Sequence, residues 1–203
     1  MEAPSSDPEH LESLPLLTTT TDRSPYLAPL VALDERASAV IFGSSLGIRW
    51  DVSIACWCMA FSMFLLPVYL LLVLVLAPLS FFLRYISCMG STLLVVSVLK
   101  HAVSRKRPNK ASLLGHRSFH MSWERLDDDQ SFPSGDTSQS AVAMTFIFLH
   151  FSLSGAFVFP FFLVCVLVAF GRVYYGRHHI GDTVAGGFLG FLCTIITLSV
   201  ISL

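Results

Sequence analysis

The sequence predicts an all-α integral membrane bundle of about five transmembrane helices plus one interfacial helix, and three observations carry that prediction. Of 203 residues, 54% are hydrophobic and only 13% charged, where soluble domains carry about a quarter charged. The charges are segregated: Arg84 is the sole one between Val52 and Leu99, and none occurs from Thr137 to Gly171 or from Thr183 to Leu203. A hydrocarbon core of about 30 Å takes about 20 apolar residues as helix, so these stretches hold about two, two and one spans. Finally, with five spans, the end of the second helix, the start of the third, the end of the fourth and the start of the fifth all fall on one face, where the polar clusters lie.

Residues 1–30 hold five prolines, the run Thr18 to Thr21 and scattered acids. Such composition buries too little apolar surface to offset chain entropy, so a disordered tail precedes a membrane domain over 31–203. No basic start leads into an apolar run, so no cleavable signal peptide is expected. Glu12 with Leu16 and Leu17 has the look of an acidic dileucine sorting signal. Residues 33–50 mix charge with the apolar run Ala37 to Ile48, too short to span and suited to the interface.

The first span is expected over 52–77, kinked at Pro67, and the second over 79–100, closing on the basic group Lys100, Arg105, Lys106 and Arg107. A polar loop follows over 101–135, long enough to suggest function. The third span starts near Asp136, the fourth covers about 156–174 and the fifth about 182–203. The five cysteines all lie in apolar stretches, with neither a disulfide framework nor metal-ligand spacing. His101, His116 and His120 are irregularly spaced and no cysteine joins them, so no metal is expected. His150 reads as a packed residue of a span, and His179 as a solvated interfacial neighbour. A net charge of -1 and the absence of a basic run interleaved with aromatics exclude a nucleic-acid groove.

Three segments on the polar face have residue types suited to holding and breaking a phosphate ester. They are Lys100 with Arg107-Pro108; Pro133-Ser134-Gly135-Asp136-Thr137; and Arg172, His178 and Asp182. Two arginines and a lysine offer bidentate and point-charge contacts to a dianion. Ser134 and the amides from Gly135 onward begin a helix, where unsatisfied N–H groups bind anions. His178 and Asp182, four apart at a helix start, share a face, so Asp182 is expected to accept a hydrogen bond from one imidazole nitrogen. The other nitrogen is then free to attack phosphorus. Arg105 and Lys106 read as ordinary basic flank, which also fixes orientation.

These segments resemble the signatures K-x(6)-R-P, P-S-G-H and S-R-x(5)-H-x(3)-D of the type 2 phosphatidic acid phosphatases, over about residues 50–203. Small size, a short first loop and the basic run after the second span make the branch acting on isoprenoid diphosphates look nearest. The resemblance implies a six-helix bundle without metal or cofactor, a phosphohistidine on His178, and phosphate ligands at Lys100, Arg107, Ser134, Gly135 and Arg172. Two positions depart from the pattern. Gly171 stands where a serine is expected, which should remove a phosphate-facing hydroxyl worth about 0.5–1.5 kcal/mol. Asp136 stands where a histidine should protonate the leaving oxygen. A carboxylate can do so only if its pKa is raised towards neutrality, and the surrounding cations oppose that. Helix capping is the alternative role for Ser134 and for Asp136, since both residue types are preferred there.

The expectation is a metal-independent membrane hydrolase acting on a lipid phosphate or, preferentially, a lipid diphosphate, with His178, Asp182 and Asp136 as catalytic groups. The alternatives are a weak or inactive homologue that binds lipid phosphate or acts as a membrane scaffold for a partner, motivated by Asp136 and Gly171, and a phosphotransferase on the same scaffold. The partners expected are the substrate lipid and the bilayer, with oligomeric state open. The active site is expected to face the cytosol from the endoplasmic reticulum membrane, with an endolysosomal membrane as the alternative.

Overall fold

The computed structural model describes residues 27–44, 46–61, 66–108 and 130–201. The tail with its dileucine pattern, and loop residues 109–129 with His116 and His120, lie outside them. Among the described residues seven α-helices appear in chain order: α1 (Ala28–Gly43), α2 (Ile48–Met59), α3 (Leu66–Leu76), α4 (Leu79–Val103), α5 (Gly135–His150), α6 (Val158–Tyr174, led by a 3₁₀ turn Gly155–Phe157) and α7 (Ile180–Ile201). Among the described residues there is no strand, only an isolated antiparallel bridge between Lys106 and Gln130.

Among the described residues, three helices are long and apolar enough to cross a bilayer: α4, the 3₁₀ turn with α6, and α7. The expected first span is instead divided. α2 ends at Met59 and α3 begins at Leu66, placing Pro67 in a first helical turn, where its missing N–H costs nothing, rather than at a mid-helix kink. The third expected span, α5, has 16 residues, about 24 Å of helix. Its polar first half, Asp136 to Ser140, is buried against its neighbours. The interfacial helix also differs from its expected bounds: α1 starts earlier, with a proline in its first turn, and ends at Gly43. A turn through Gly47, at φ 87°, then starts α2.

The α5–α7 contact is the most extensive in the bundle. Gly186 and Gly190 on α7 make it possible: an added Cβ would strike the Ser134 carbonyl at the first and the Ser138 carbonyl at the second. This is the small-xxx-small device that lets membrane helices approach closely. A second core joins α2 to α6 through Ile54, Ala55, Cys58, Tyr174 and Tyr175. The Tyr174 hydroxyl donates to Asp51 Oδ1 at 2.5 Å and that of Tyr175 to the Asp51 carbonyl at 2.6 Å. Outward faces are apolar, as on α3, where Val68, Leu71, Val75 and Leu76 are exposed. These two contacts fix the starts of α5 and α7 and the end of α6 at one end of the bundle, where α4 also finishes.

Candidate active site

His178 is reached by a tight return from α6. The carbonyl of Arg172 accepts from the amides of Arg177 (2.9 Å) and His178 (3.3 Å), and Gly176 takes φ 60° in between. Positive φ is strained for residues with a Cβ, which accounts for a glycine there. The return folds the six-residue separation back, so Arg172 Nη2 lies 3.3 Å from His178 Nε2. The other imidazole nitrogen, Nδ1, is 2.7 Å from the carbonyl of Ser131. A carbonyl only accepts, so Nδ1 carries the proton and Nε2 keeps the lone pair.

The tautomer is therefore set by a backbone oxygen and not by Asp182, as the four-residue spacing suggests. Asp182 Oδ2 stays 4.0 Å from His178 Nδ1, beyond hydrogen-bond range. His178 precedes α7 instead of lying in it, so helical spacing does not apply. Asp182 turns back on the helix start: its Oδ2 accepts from the His179 amide at 2.9 Å and lies 3.3 Å from His179 Nδ1, closing the helix as a capping box does. Its Oδ1 is 2.7 Å from Arg105 Nη1. Arg105 is thus no solvated flank, and His179, 6% exposed and tilted against Phe42, is no solvated neighbour.

Ser131 is itself anchored on the end of α4. Its amide donates to the Arg105 carbonyl at 2.6 Å and its hydroxyl reaches the carbonyls of Arg105 and Lys106. Lys100 Nζ donates to the Gln130 carbonyl at 2.9 Å, and Arg107 Nη1 to the Arg177 carbonyl at 2.8 Å. Ser134 caps α5: Thr137 N donates to its Oγ at 3.5 Å, and its own amide donates to the Asp182 carbonyl at 2.9 Å. Gly135, the first residue of α5, has only Val96 near a would-be Cβ, at 3.9 Å. All three sequence segments meet here through these bonds. His101, by contrast, hydrogen-bonds within its own helix to the Ser97 carbonyl, and the His150 ring stacks on Phe146 with Phe81 edge-on.

Asp136 Oδ2 lies 2.6 Å from Arg172 Nη1, with the pair nearly buried. One guanidinium thus bridges the carboxylate and Nε2 of His178. Burial, then the charges of Arg172, Arg107 and Lys100, hold the His178 imidazole well below its ordinary pKa of 6.5, against the opposing bond to Ser131. That direction favours the neutral imidazole, the form a nucleophile would need.

Gly171 has a different reason from the one its motif position suggests. An added Cβ would sit 2.8 Å from Cys58 N and 3.0 Å from the Ile54 carbonyl oxygen. That side of α6 faces α2, not the cations, so a serine there would push the helices apart instead of supplying a phosphate ligand.

Residues 81–202 match the PAP2 superfamily, which is more than half of the chain. The chain belongs to that superfamily. Two solved structures share the fold. Aquifex aeolicus LpxE superposes with a TM-score of 0.61 at 22% identity, over 82% of this chain and 95% of that one. A Bacillus subtilis transmembrane PAP2 type phosphatidylglycerolphosphate phosphatase gives 0.66 at 18% identity, over 86% and 87%. This PAP2 chain holds at its first, second and third signatures the residues described above, with Asp136 and Gly171 at the two divergent positions.

Proposed function

We propose that this PAP2 chain is a membrane phosphohydrolase that removes the terminal phosphate of a lipid diphosphate, and less readily that of a lipid monophosphate, through a phosphohistidine on His178. The observation that carries the reading is the fixed tautomer: Nδ1–H held by the Ser131 carbonyl and Nε2 presented beside Arg172. The solved relatives include a phosphatase named for phosphatidylglycerolphosphate, which supports a lipid phosphate as substrate class.

In the proposed reaction Nε2 attacks phosphorus while the bond to the leaving oxygen breaks, and the departing group takes the electron pair. Lys100, Arg107 and Arg172 balance the charge on the transferring phosphoryl group, with Ser134 and the first amides of α5 as further donors. Asp182 holds the start of α7 that follows the nucleophile. Water then attacks the phosphohistidine, the P–N bond breaks, the water proton passes to the phosphate product, and inorganic phosphate leaves.

Leaving-group chemistry carries the substrate preference. Asp136 is tied to Arg172, its Oδ2 2.6 Å from Nη1, and in that pairing the carboxyl serves the guanidinium and not the leaving oxygen. A monoester expels an alkoxide that needs a proton, whereas a diphosphate expels a lipid monophosphate that hardly does. General acid catalysis is worth about 10²–10⁴-fold, so its loss falls mainly on monoesters. Asp136→His should therefore raise hydrolysis of phosphatidate more than that of farnesyl diphosphate in side-by-side assays; equal gains on both would defeat the argument.

The same ion pair favours a second reading, a weak homologue that binds lipid phosphate, because the anion must share Arg172 with Asp136. Purified protein that binds both lipids yet releases phosphate from neither would establish it. For orientation, Lys and Arg outside the three phosphate ligands number nine on the site's side against Arg84 opposite, a bias that supports a cytosolic site. Protection of an N-terminal tag from protease in cytosolic-side-out vesicles would contradict that placement.

A further inference from the structure

The helix that follows the nucleophile cannot satisfy its own first turn. Of the free amides at the start of α7, that of His179 is taken by Asp182, but those of Ile180 and Gly181 have no acceptor from their own helix. Both are met by α1, more than 140 residues earlier. Ile180 N donates to Ser38 Oγ at 3.0 Å, and Gly181 N to Asp34 Oδ1 at 2.8 Å. Gly181 is small for this reason, since a Cβ would lie 2.9 Å from Asp34 Oδ2.

Asp34 does a second thing. Its Oδ2 lies 2.8 Å from Arg105 Nη1, the same nitrogen that holds Asp182 Oδ1 at 2.7 Å. Arg105 Nε and Nη2 are buried without a partner among the described residues, so these two carboxylates are what balance its charge. Arg105 in turn offers the carbonyl on which Ser131 rests, and Ser131 offers the carbonyl that orients His178. Asp34 therefore joins both supports of the nucleophile, the start of α7 and the Arg105–Ser131 strut.

The seat of α1 is also visible. Asp34, Ser38 and Phe42 recur every fourth residue and form one helix face, turned inward on residues 179–181. Leu33 and Val40 point away and are 65% and 70% exposed. Arg36 is exposed on the same side, and an outer face of apolar side chains with a basic one beside membrane spans suits the interface.

We propose that α1 is an interface-seated clamp on the catalytic loop, and that Asp34 is a positioning residue acting on His178 through Gly181 and Arg105. The proposal rests on His178 being the nucleophile, as read above. It is tested in nanodiscs with Asp34→Ala, which loses both contacts, and Asp34→Asn, which keeps an acceptor for Gly181 but loses the charge on Arg105. Turnover of farnesyl diphosphate per folded molecule should fall by roughly ten- to hundredfold in Asp34→Ala, as misplacement of a reacting group by about 1 Å does, with KM within about twofold. Asp34→Asn should lie between it and the wild type. Amide exchange of residues 180 and 181 should accelerate in Asp34→Ala, whereas in Asp34→Asn that of residue 181 stays slow.

A merely stabilising residue would lower the melting temperature while leaving kcat per folded molecule unchanged, and that result overturns the proposal. Unchanged exchange in Asp34→Ala overturns it as well. Where Asp34→Ala does not fold, the kcat of Asp34→Asn decides alone. A wild type that turns over no lipid would defeat the phosphatase reading, and exchange, which needs no substrate, would then decide the clamp by itself.

Discussion

Two arginine–carboxylate centres flank His178, one made of Arg172 with Asp136 and the other of Arg105 with Asp182 and Asp34. Both are short and largely buried, yet they lie on opposite sides of the His178 imidazole. Arg172 reaches Nε2, the nitrogen with the lone pair, while Arg105 lies behind the ring, on the segments that offer Nδ1 its acceptor. The difference teaches that a buried ion pair is not informative by its strength. The front pair is placed where an anion would compete for the guanidinium, and the rear pair where nothing would.

The sharpest way to break the comparison is at the nucleophile between the two centres. His178→Ala should lower turnover by at least about a thousandfold, since a covalent nucleophile is removed; activity within tenfold of wild type would refute the role. Next comes the front centre. Arg172→Met should cost about 10²-fold in kcat/KM through lost charge stabilisation, and should also lower the melting temperature by stranding Asp136. Adding Asp136→Asn should recover the stability without the activity. At the rear centre the order inverts: Arg105→Met should cost about 3–5 kcal/mol of stability, as breaking a buried pair does, read by denaturation in detergent.

Smaller effects sharpen the same contrast. Gly171→Ser restores the family's residue, yet it should destabilise by about 1–3 kcal/mol through overpacking against Cys58 and leave KM no lower. A stable variant with a lower KM would show the hydroxyl reaching phosphate. Smallest is the pH effect of His178. Its folded pKa is depressed well below the ordinary 6.5, so the unfolded chain binds the proton more readily, and the stability from keeping it neutral is complete above 6.5. Below that pH stability should fall towards the folded pKa, by at most about 1.4 kcal/mol per pH unit. His178→Gln should remove that part of the slope; an unchanged profile would contradict a buried neutral imidazole.

The front centre was legible in the sequence because each of its residues sits at a helix end on the same face, so counting spans brings Lys100, Arg107, Ser134, Asp136, Arg172 and His178 together. The rear centre was not. Arg105 belongs to a basic run that looks like any membrane flank, and Asp34 and Ser38 become caps only once α1 docks on α7. Ser131 acts through its backbone carbonyl, which leaves no side-chain signature. Sequence spacing exposes Asp182 but suggests the wrong partner, because helical spacing does not hold for His178, which lies ahead of the helix. Gly171 was read as a missing ligand since its true neighbour, Cys58, is more than a hundred residues away. The fold followed charge segregation, and departed from it where a long apolar stretch holds a helix end at Met59, where α5 is shorter than a full span and where α1 starts ahead of its expected bound.

The central claim is that phosphate passes through His178, and covalent trapping tests it most directly. Enzyme mixed with a lipid diphosphate labelled in its terminal phosphate would be denatured in alkali, in which phosphohistidine survives, and the label mapped by peptide. The account predicts label on the peptide carrying His178 in the wild type and none in His178→Ala. A wild type that turns over labelled lipid without trapped label, or label that persists in His178→Ala, would contradict it.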